Sequence, residues 1–393
     1  MVILKILLPL FFITFAFAEV FKVRIYDSVS LGIIDIIIVS VVLMWLFIIK
    51  KKKYQLKFPI ILFAIICVFS LVFNYLNYSN EQIFISSLYI IRWLLYACLY
   101  FVFVDIGKSN KDNIIKLMFS TGFLVIIFGF AQYYLYPSLR NLFYLGWDEH
   151  LYRLFSTFLD PNFAGTFLVL FFVFLYVFRD YFSGNKKKLI YLFLVLNFIA
   201  IVLTYSRGAL LMFLTCVVVY SFLVRNWKFT AGILTLFVII FFVLSPGFNM
   251  EGTNLLRLAS VKARINSTKT ALLVWQNNPM GVGFNTYRYA REKYGEIDNS
   301  QFGPSHAGAG VDNSFVLVLV TTGVVGLLSY TYLLFRIFKL GLVNVKKNKF
   351  ALVLVVSLGG LIVSALFINS LFYSFIMIWI WILAGITEST SRG

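Results

Sequence analysis

Apolar runs of about twenty residues recur from one end of the chain to the other, each closed by a polar or basic cluster. About twenty residues of helix are what a bilayer's hydrocarbon core requires. A soluble fold cannot bury a dozen such runs, and with 61% of residues apolar and 13% charged there is too little polar surface to cover them. Disordered, collagen-like and ordinary globular chains are excluded on the same ground. The expected fold class is all-α, a polytopic transmembrane helix bundle of about twelve spans. They are expected near 3–18, 31–49, 58–76, 84–104, 114–136, 161–178, 189–204, 208–224, 229–245, 313–335, 350–368 and 370–387.

The formal charge of +18 has a topological origin. If the chain starts in the cytoplasm, every second connection is basic: Lys50 to Lys53 with Lys57, then Lys108, Lys111 and Lys116, Arg179 with Lys186 to Lys188, Arg225 with Lys228, and Arg336, Lys339, Lys346, Lys347 and Lys349. On the opposite side cations and acids nearly cancel. That is the positive-inside pattern, and it removes nucleic acid as an expected partner. Residues 1–18 imitate a secretory signal through Lys5 and Ala16-Phe17-Ala18. Removing them would reverse every later loop, so they are expected to be the first span. Cys67, Cys98 and Cys216 fall inside spans without CxxC spacing, as small apolar residues do. His150 and His306 are the only histidines, and no HExxH or Asp-x-Asp spacing occurs. No protein metal site and no cofactor is expected.

The organisation is uneven. Residues 1–246 hold the first nine expected spans, 312–393 the last three, and 247–311 form one large external loop. A loop of that length is usually functional or a small domain. It is expected to hold a helix over 255–277, a turn at Asn277-Asn278-Pro279, a Gly281-Val282-Gly283 segment and a Gly-rich exit. A smaller external connection covers 137–160. Within the helix, Arg257 and Arg264 lie two turns apart on one stripe with Val261, Thr268 and Trp275. Two guanidinium forks on one face suit phosphate oxygens; the competing reading is an amphipathic helix lying among lipid headgroups. Arg207 stands at the membrane boundary in Thr204-Tyr205-Ser206-Arg207, where it either binds or snorkels. Arg92, mid-span, is expected to pair with Asp35. Asp160-Pro161-Asn162 reads as a helix start. His306 is a candidate general base. Asp312 is either a second base or the N-cap of the next helix. Gly281 and Gly283 read as a turn, with backbone amides facing a phosphate as the weaker reading, and Gly323 and Gly326 as close helix packing.

FSTFLDPNFAG at 155–165, TYSRGALL at 204–211, the helix from Arg264 to Trp275 leading into NPMGVGFNTY at 278–287, and DNSFVLVLVTTGVVGLL at 312–328 together resemble the bacterial O-antigen ligase and O-antigen polymerase superfamily of membrane glycosyltransferases. The resemblance runs over about 120–385. It implies a GT-C-like bundle of about twelve helices in the bacterial inner membrane, working on its periplasmic face. A glycan would move from an undecaprenyl-pyrophosphate carrier to a glycan or lipid A core acceptor without a metal. Residue by residue, Arg264 matches the loop arginine of the superfamily and Arg207 its turn arginine; with the candidates read from the residues themselves, Arg264, His306 and Asp312 are the expected catalytic groups, and Arg207, Arg257 and Arg288 are expected to bind substrate. Ligases of the superfamily usually read His-Asn before the tenth span, whereas this chain reads Asp312-Asn313. That departure favours the polymerase. A lipid-linked glycan flippase or another transporter shares the twelve-span plan. Its repeated halves are absent from this sequence, and the ionisable groups here gather on one face.

The topology has a direct test. In a background lacking the three native cysteines, Cys at Ser267 should react with a membrane-impermeant thiol reagent in intact cells, and Cys at Asn185 should not. The reverse pattern overturns the map.

Overall fold

The computed structural model describes residues 2–26, 29–47, 53–145, 148–228, 231–235, 259–292 and 310–392. Helices dominate them. They are α1 (Val2–Ala16), α2 (Ile33–Leu46), α3 (Lys57–Phe73), α4 (Asn80–Ile106), α5 (Lys111–Leu135), α6 (Pro161–Val177), α7 (Gly184–Leu203), α8 (Arg207–Val224), α9 (Ala259–Asn277), α10 (Tyr287–Glu292), α11 (Ser314–Asn344), α12 (Lys349–Ser364) and α13 (Ser374–Ser391). Eleven of the twelve expected spans coincide with one of these helices; 229–245 lies outside the described residues apart from a helical 231–235. By length and composition α4, α5, α8, α11 and α13 can each cross a bilayer, while α1, α2, α3, α6 and α12 include shorter apolar helices.

The all-α expectation is corrected at one place. Lys22–Tyr26 (β1) and Val29–Gly32 (β2) form an antiparallel hairpin with Lys22 opposite Gly32 and Val23 opposite Leu31. Alternation over so few residues is a weak signal beside the apolar runs that flank it.

The bundle is built around α13, whose apolar residues point in every direction and are therefore buried all round. Trp379 is fully buried, with its rings packed edge-on against Phe167, Phe171 and Phe174 of α6. Helix α4 runs closely against α13: a Cβ on Gly385 would fall 2.6 Å from the Tyr100 carbonyl oxygen. Buried polar groups tie the two ends of the bundle. At one end Asp105 accepts from Trp45 Nε1 (2.9 Å) and the Tyr54 hydroxyl (2.8 Å). Beside it the fully buried Glu388 meets the Tyr100 hydroxyl, Arg392 and the Gln55 amide. At the other end Arg92 and Asp35 form the expected pair at 3.2 Å, and Tyr96 donates to the same carboxylate. An ionised group this deep requires such partners.

Helix α11 is broken at Gly323, where φ is 68° and ψ is −172°. The break deprives the carbonyls of Val320 and Thr321 of their helical donors. The external loop supplies replacements, Val282 N–H to Val320 at 2.9 Å and Gly283 N–H to Thr321 at 2.9 Å. Gly281 and Gly283 take φ of 88° and 105° to make this approach. The loop is then tied to the end of α3, where Asn74 donates to the Gly281 carbonyl (3.0 Å) and Ser70 accepts from Phe284 N–H (3.2 Å). The close-packing reading of Gly323 is therefore replaced by a chain break that receives a loop.

A second, smaller core follows from that insertion. Ala271 and Val274 of α9, Val282, Tyr287 and Ala290 of the loop, and Val311 and Val320 beside and within α11 form one cluster. It clamps α9 onto the outer part of α11.

Gly323→Ala should destabilise the fold by about 2 kcal/mol or more, since its Cβ would meet the Met280 carbonyl at 2.9 Å at a positive φ. Gly232→Ala meets nothing within 4 Å and serves as the control. Thermal unfolding in detergent compares them, and equal midpoints would remove the strain argument.

Candidate active site

The site is assembled at the end of the bundle where α7 finishes and α6, α8 and α11 begin. Helix α7 stops at Leu203, with Thr204 as its C-cap; Tyr205 adopts φ of 48° and Ser206 caps α8 by accepting from Ala209 N–H. Arg207 is the first residue of α8 and is half-buried. The turn that carries it is held from one side by the connection before α6. Leu154 N–H bonds the Leu203 carbonyl (2.9 Å), and Arg153 Nε bonds the Thr204 carbonyl (2.9 Å). That connection is itself fixed by Gln132 of α5, whose Oε1 accepts from Phe155 and Ser156 N–H at 2.8 and 3.0 Å. From the other side Ser206 Oγ donates to Asn162 Oδ1 at 2.9 Å.

Asp160 caps α6 as the sequence suggests, accepting from Asn162 N–H (2.6 Å) and Phe163 N–H (3.2 Å), with Pro161 at the first helical position. Its other oxygen faces His150 Nε2 at 3.7 Å. Burial works to raise the Asp160 carboxyl. It is outweighed by the His150 hydrogen bond and charge, the Asn162 amide and the nearby Arg153, so the carboxyl lies below its ordinary range.

Asp312 is not a cap. Asn313 performs that task, its Oδ1 accepting from Phe315 N–H (2.9 Å) and Val316 N–H (3.1 Å). The Asp312 carboxylate is thereby spared from capping, which removes the cap reading. Burial raises its pKa, Arg264 pulls the other way, and the charges of Asp160 and Asp148 add to the rise. Asp312 thus feels the charges of Arg264 and of Asp160.

Arg264 owes its place to the period of α9. Ala271, two turns on, and Val274 point into the second core with no exposed surface. The half-buried Arg264 lies on the same face and acts on Asp312 electrostatically. Lys262, Ile265, Lys269 and Leu273 occupy the exposed side. The anion reading and the headgroup reading of this helix therefore belong to different faces. Arg288 lies on α10, with its Nε buried and without a hydrogen-bond partner. Arg257 and His306 lie outside the described residues. The amides of Gly281, Val282 and Gly283 are bonded to Asn278, Val320 and Thr321, so they are not the phosphate cradle that the glycines offered as a weaker reading.

His150 is the residue that sequence reasoning missed. It stands ten positions before Asp160 in a connection without periodicity, and only the folded loop makes the pair.

The two carboxylates should respond oppositely to substitution. A carboxyl whose pKa is raised in the fold favours folding below its unfolded pKa, and that contribution is lost as pH rises through the folded value. Asp312→Asn should therefore leave the unfolding midpoint at pH 7 unchanged or higher. A lowered carboxyl stabilises above its unfolded pKa, and this fades in acid as pH falls through the folded value. Asp160→Asn should lower the midpoint at pH 7 by roughly 2 °C or more, with the difference from the parent shrinking below about pH 4. A large drop for Asp312→Asn would contradict its environment as described.

Comparison with known proteins gives one family match. The family described as O-antigen ligase matches residues 192–331. None of the curated proteins compared with the chain matches it. The matched stretch contains Arg207, Arg257, Arg264, Arg288, His306 and Asp312, while His150, Arg153 and Asp160 precede it. This match bears out the resemblance of the chain to the O-antigen ligase and polymerase superfamily.

Proposed function

We propose that this chain is a multi-pass glycosyltransferase of the bacterial inner membrane that acts on the periplasmic face, with about twelve spans in a GT-C-like arrangement. Its donor is a glycan on undecaprenyl pyrophosphate, and its acceptor is a second carrier-linked glycan. The observation that carries this reading is the fixed turn that presents Arg207 at the bundle end where Asp312 and Asn313 lead into α11, with Arg264 acting electrostatically on Asp312. Two half-buried arginines and a half-buried carboxylate, at the edge of an apolar bundle, suit a lipid-linked pyrophosphate. An O-antigen ligase with lipid A core as acceptor uses the same donor and is the second reading, favoured by the description of the matched family.

In the reaction the acceptor hydroxyl oxygen attacks the anomeric carbon of the donor sugar, and its proton passes to the base. Asp312 is the described candidate for that base, and His306 the other one named from sequence. The bond between the anomeric carbon and the phosphate oxygen breaks, and its electron pair leaves with undecaprenyl pyrophosphate. Fixed guanidinium groups of Arg264 and Arg207 stabilise the charge that develops there. Arg257 and Arg288 add positive potential for the carrier. No metal takes part, because the arginines supply the positive charge a metal would bring.

Purified protein in liposomes, given only undecaprenyl-pyrophosphate repeat units, should build a ladder of longer lipid-linked glycans, unaffected by a chelator. Arg264→Lys should be nearly as damaging as Arg264→Ala, since a point charge does not replace the bidentate fork. Product formed only after lipid A core is added would replace the polymerase with the ligase. No transfer under either condition, with folded protein that moves the lipid-linked units across the bilayer, would replace the enzyme with a flippase.

A further inference from the structure

Arg153 differs from the other cations at this end of the bundle. Its exposure is 2%, whereas Arg140 is exposed and Arg207, Arg264, Arg288 and Arg291 are half-buried. A guanidinium this deep is costly unless its donors are matched. Two of them go to backbone: Nε donates to the Thr204 carbonyl at 2.9 Å and Nη2 to the Tyr205 carbonyl at 3.5 Å. The adjacent Leu154 N–H takes the Leu203 carbonyl. Residues 153 and 154 therefore hold three successive carbonyls at the end of α7. These are groups that a helix leaves without partners, at the pole of the helix that favours a cation.

The next two residues are Ser206 and Arg207. Tyr205 sits in the left-handed region at φ of 48°, and Ser206 is fastened by its hydroxyl to Asn162. The direction in which α8 starts, and so the direction in which the Arg207 side chain leaves it, is set by bonds on both sides of this turn. Arg153 provides the side that carries charge. The Asp160 carboxylate lies near enough to act on it electrostatically.

We propose that Arg153 is a positioning residue for the transfer reaction: it binds no substrate and fixes the turn at 203–206 so that Arg207 meets the carrier pyrophosphate. The inference rests on the reading of Arg207 as a ligand of that pyrophosphate. Lysine is a poor substitute at 153, because its ammonium lacks the planar fork that reaches two neighbouring carbonyls at once.

The test is a mutant cycle in the liposome assay, with kcat and KM for the lipid-linked donor measured at equal amounts of folded protein. Arg153→Ala should lower kcat by about tenfold or more with little change in KM, and Arg153→Lys should recover only part of the loss. In an Arg207→Ala background, Arg153→Ala should cost almost nothing further, since its effect passes through Arg207. Independent, multiplying losses would overturn the proposal by giving Arg153 a contact of its own with substrate. A lower yield of folded protein with normal kcat would overturn it in favour of a purely structural role. Should Arg153→Ala fail to fold, the same cycle is run with Arg153→Lys, whose full activity would also overturn it. Arg207→Ala alone separates the two levels: if it is silent, the carrier reading of Arg207 fails, whereas an impaired Arg207→Ala beside an active Arg153→Ala leaves that reading standing and removes only the positioning role.

Discussion

In an apolar slab every backbone amide and carbonyl must find a partner inside the protein, and the arrangement of this site follows from where that demand is hardest to meet. Helix α11 breaks at Gly323, a buried position, and the carbonyls freed there need donors from the protein. The loop amides of Val282 and Gly283 supply them. That choice sets the register of the loop against the bundle. It places α9 over the outer part of α11 and turns the Ala271 face inward, with Arg264 two turns earlier on that face. A side chain on Gly323 or Gly281 would disturb the position of a guanidinium more than ten residues away without touching it.

A second network holds the opposite half of the site. Gln132, Leu154, Arg153 and Asn162 spend their donors and acceptors on the turn around Tyr205 and on each other's backbone. Tyr205 in this turn, and Ser156 and Leu159 nearby, adopt conformations that residues other than glycine rarely hold. Strain of this kind persists only where surrounding bonds over-determine it. The charged groups follow the same rule. Asp160 is lowered by partners that outweigh burial, Asp312 is raised because the pull of Arg264 does not, and the two carboxylates differ in character although one caps a helix and the other lies one residue before a cap.

These contrasts explain what was legible in the sequence. Helices were legible because about twenty apolar residues in a row admit few other structures in lipid. The Arg92–Asp35 pair was legible because two isolated charges in neighbouring spans have few other partners. Asp160 before a proline was legible as a cap for local reasons. Asp312 was not, since Asp312 and Asn313 are equally good caps and only the fold shows that Asn313 does the work. The glycines of 281–283 pointed to a close backbone approach, but what approaches is a broken helix thirty to forty residues further on, and no local pattern marks that partner. His150 escaped notice for the same reason. Its carboxylate lies ten residues away across an irregular connection.

The stretch that resembles known O-antigen ligases begins within α7 and ends within α11, and every arginine assigned to the carrier belongs to it. The bonds that aim those arginines do not all belong to it. Arg207 is set by Arg153 and Asn162, which lie before the matched stretch, and the loop bearing Arg264 is anchored by Ser70 and Asn74 at the end of α3. The arginines proposed to meet the carrier and the groups that hold them are thus contributed by different parts of the chain, and the support is mostly side chain to backbone. Such a design tolerates sequence change in the supporting segments as long as one donor or acceptor remains at each point of attachment. Arg153 is the exception, because a single residue there serves two carbonyls and also carries the charge that complements the end of α7.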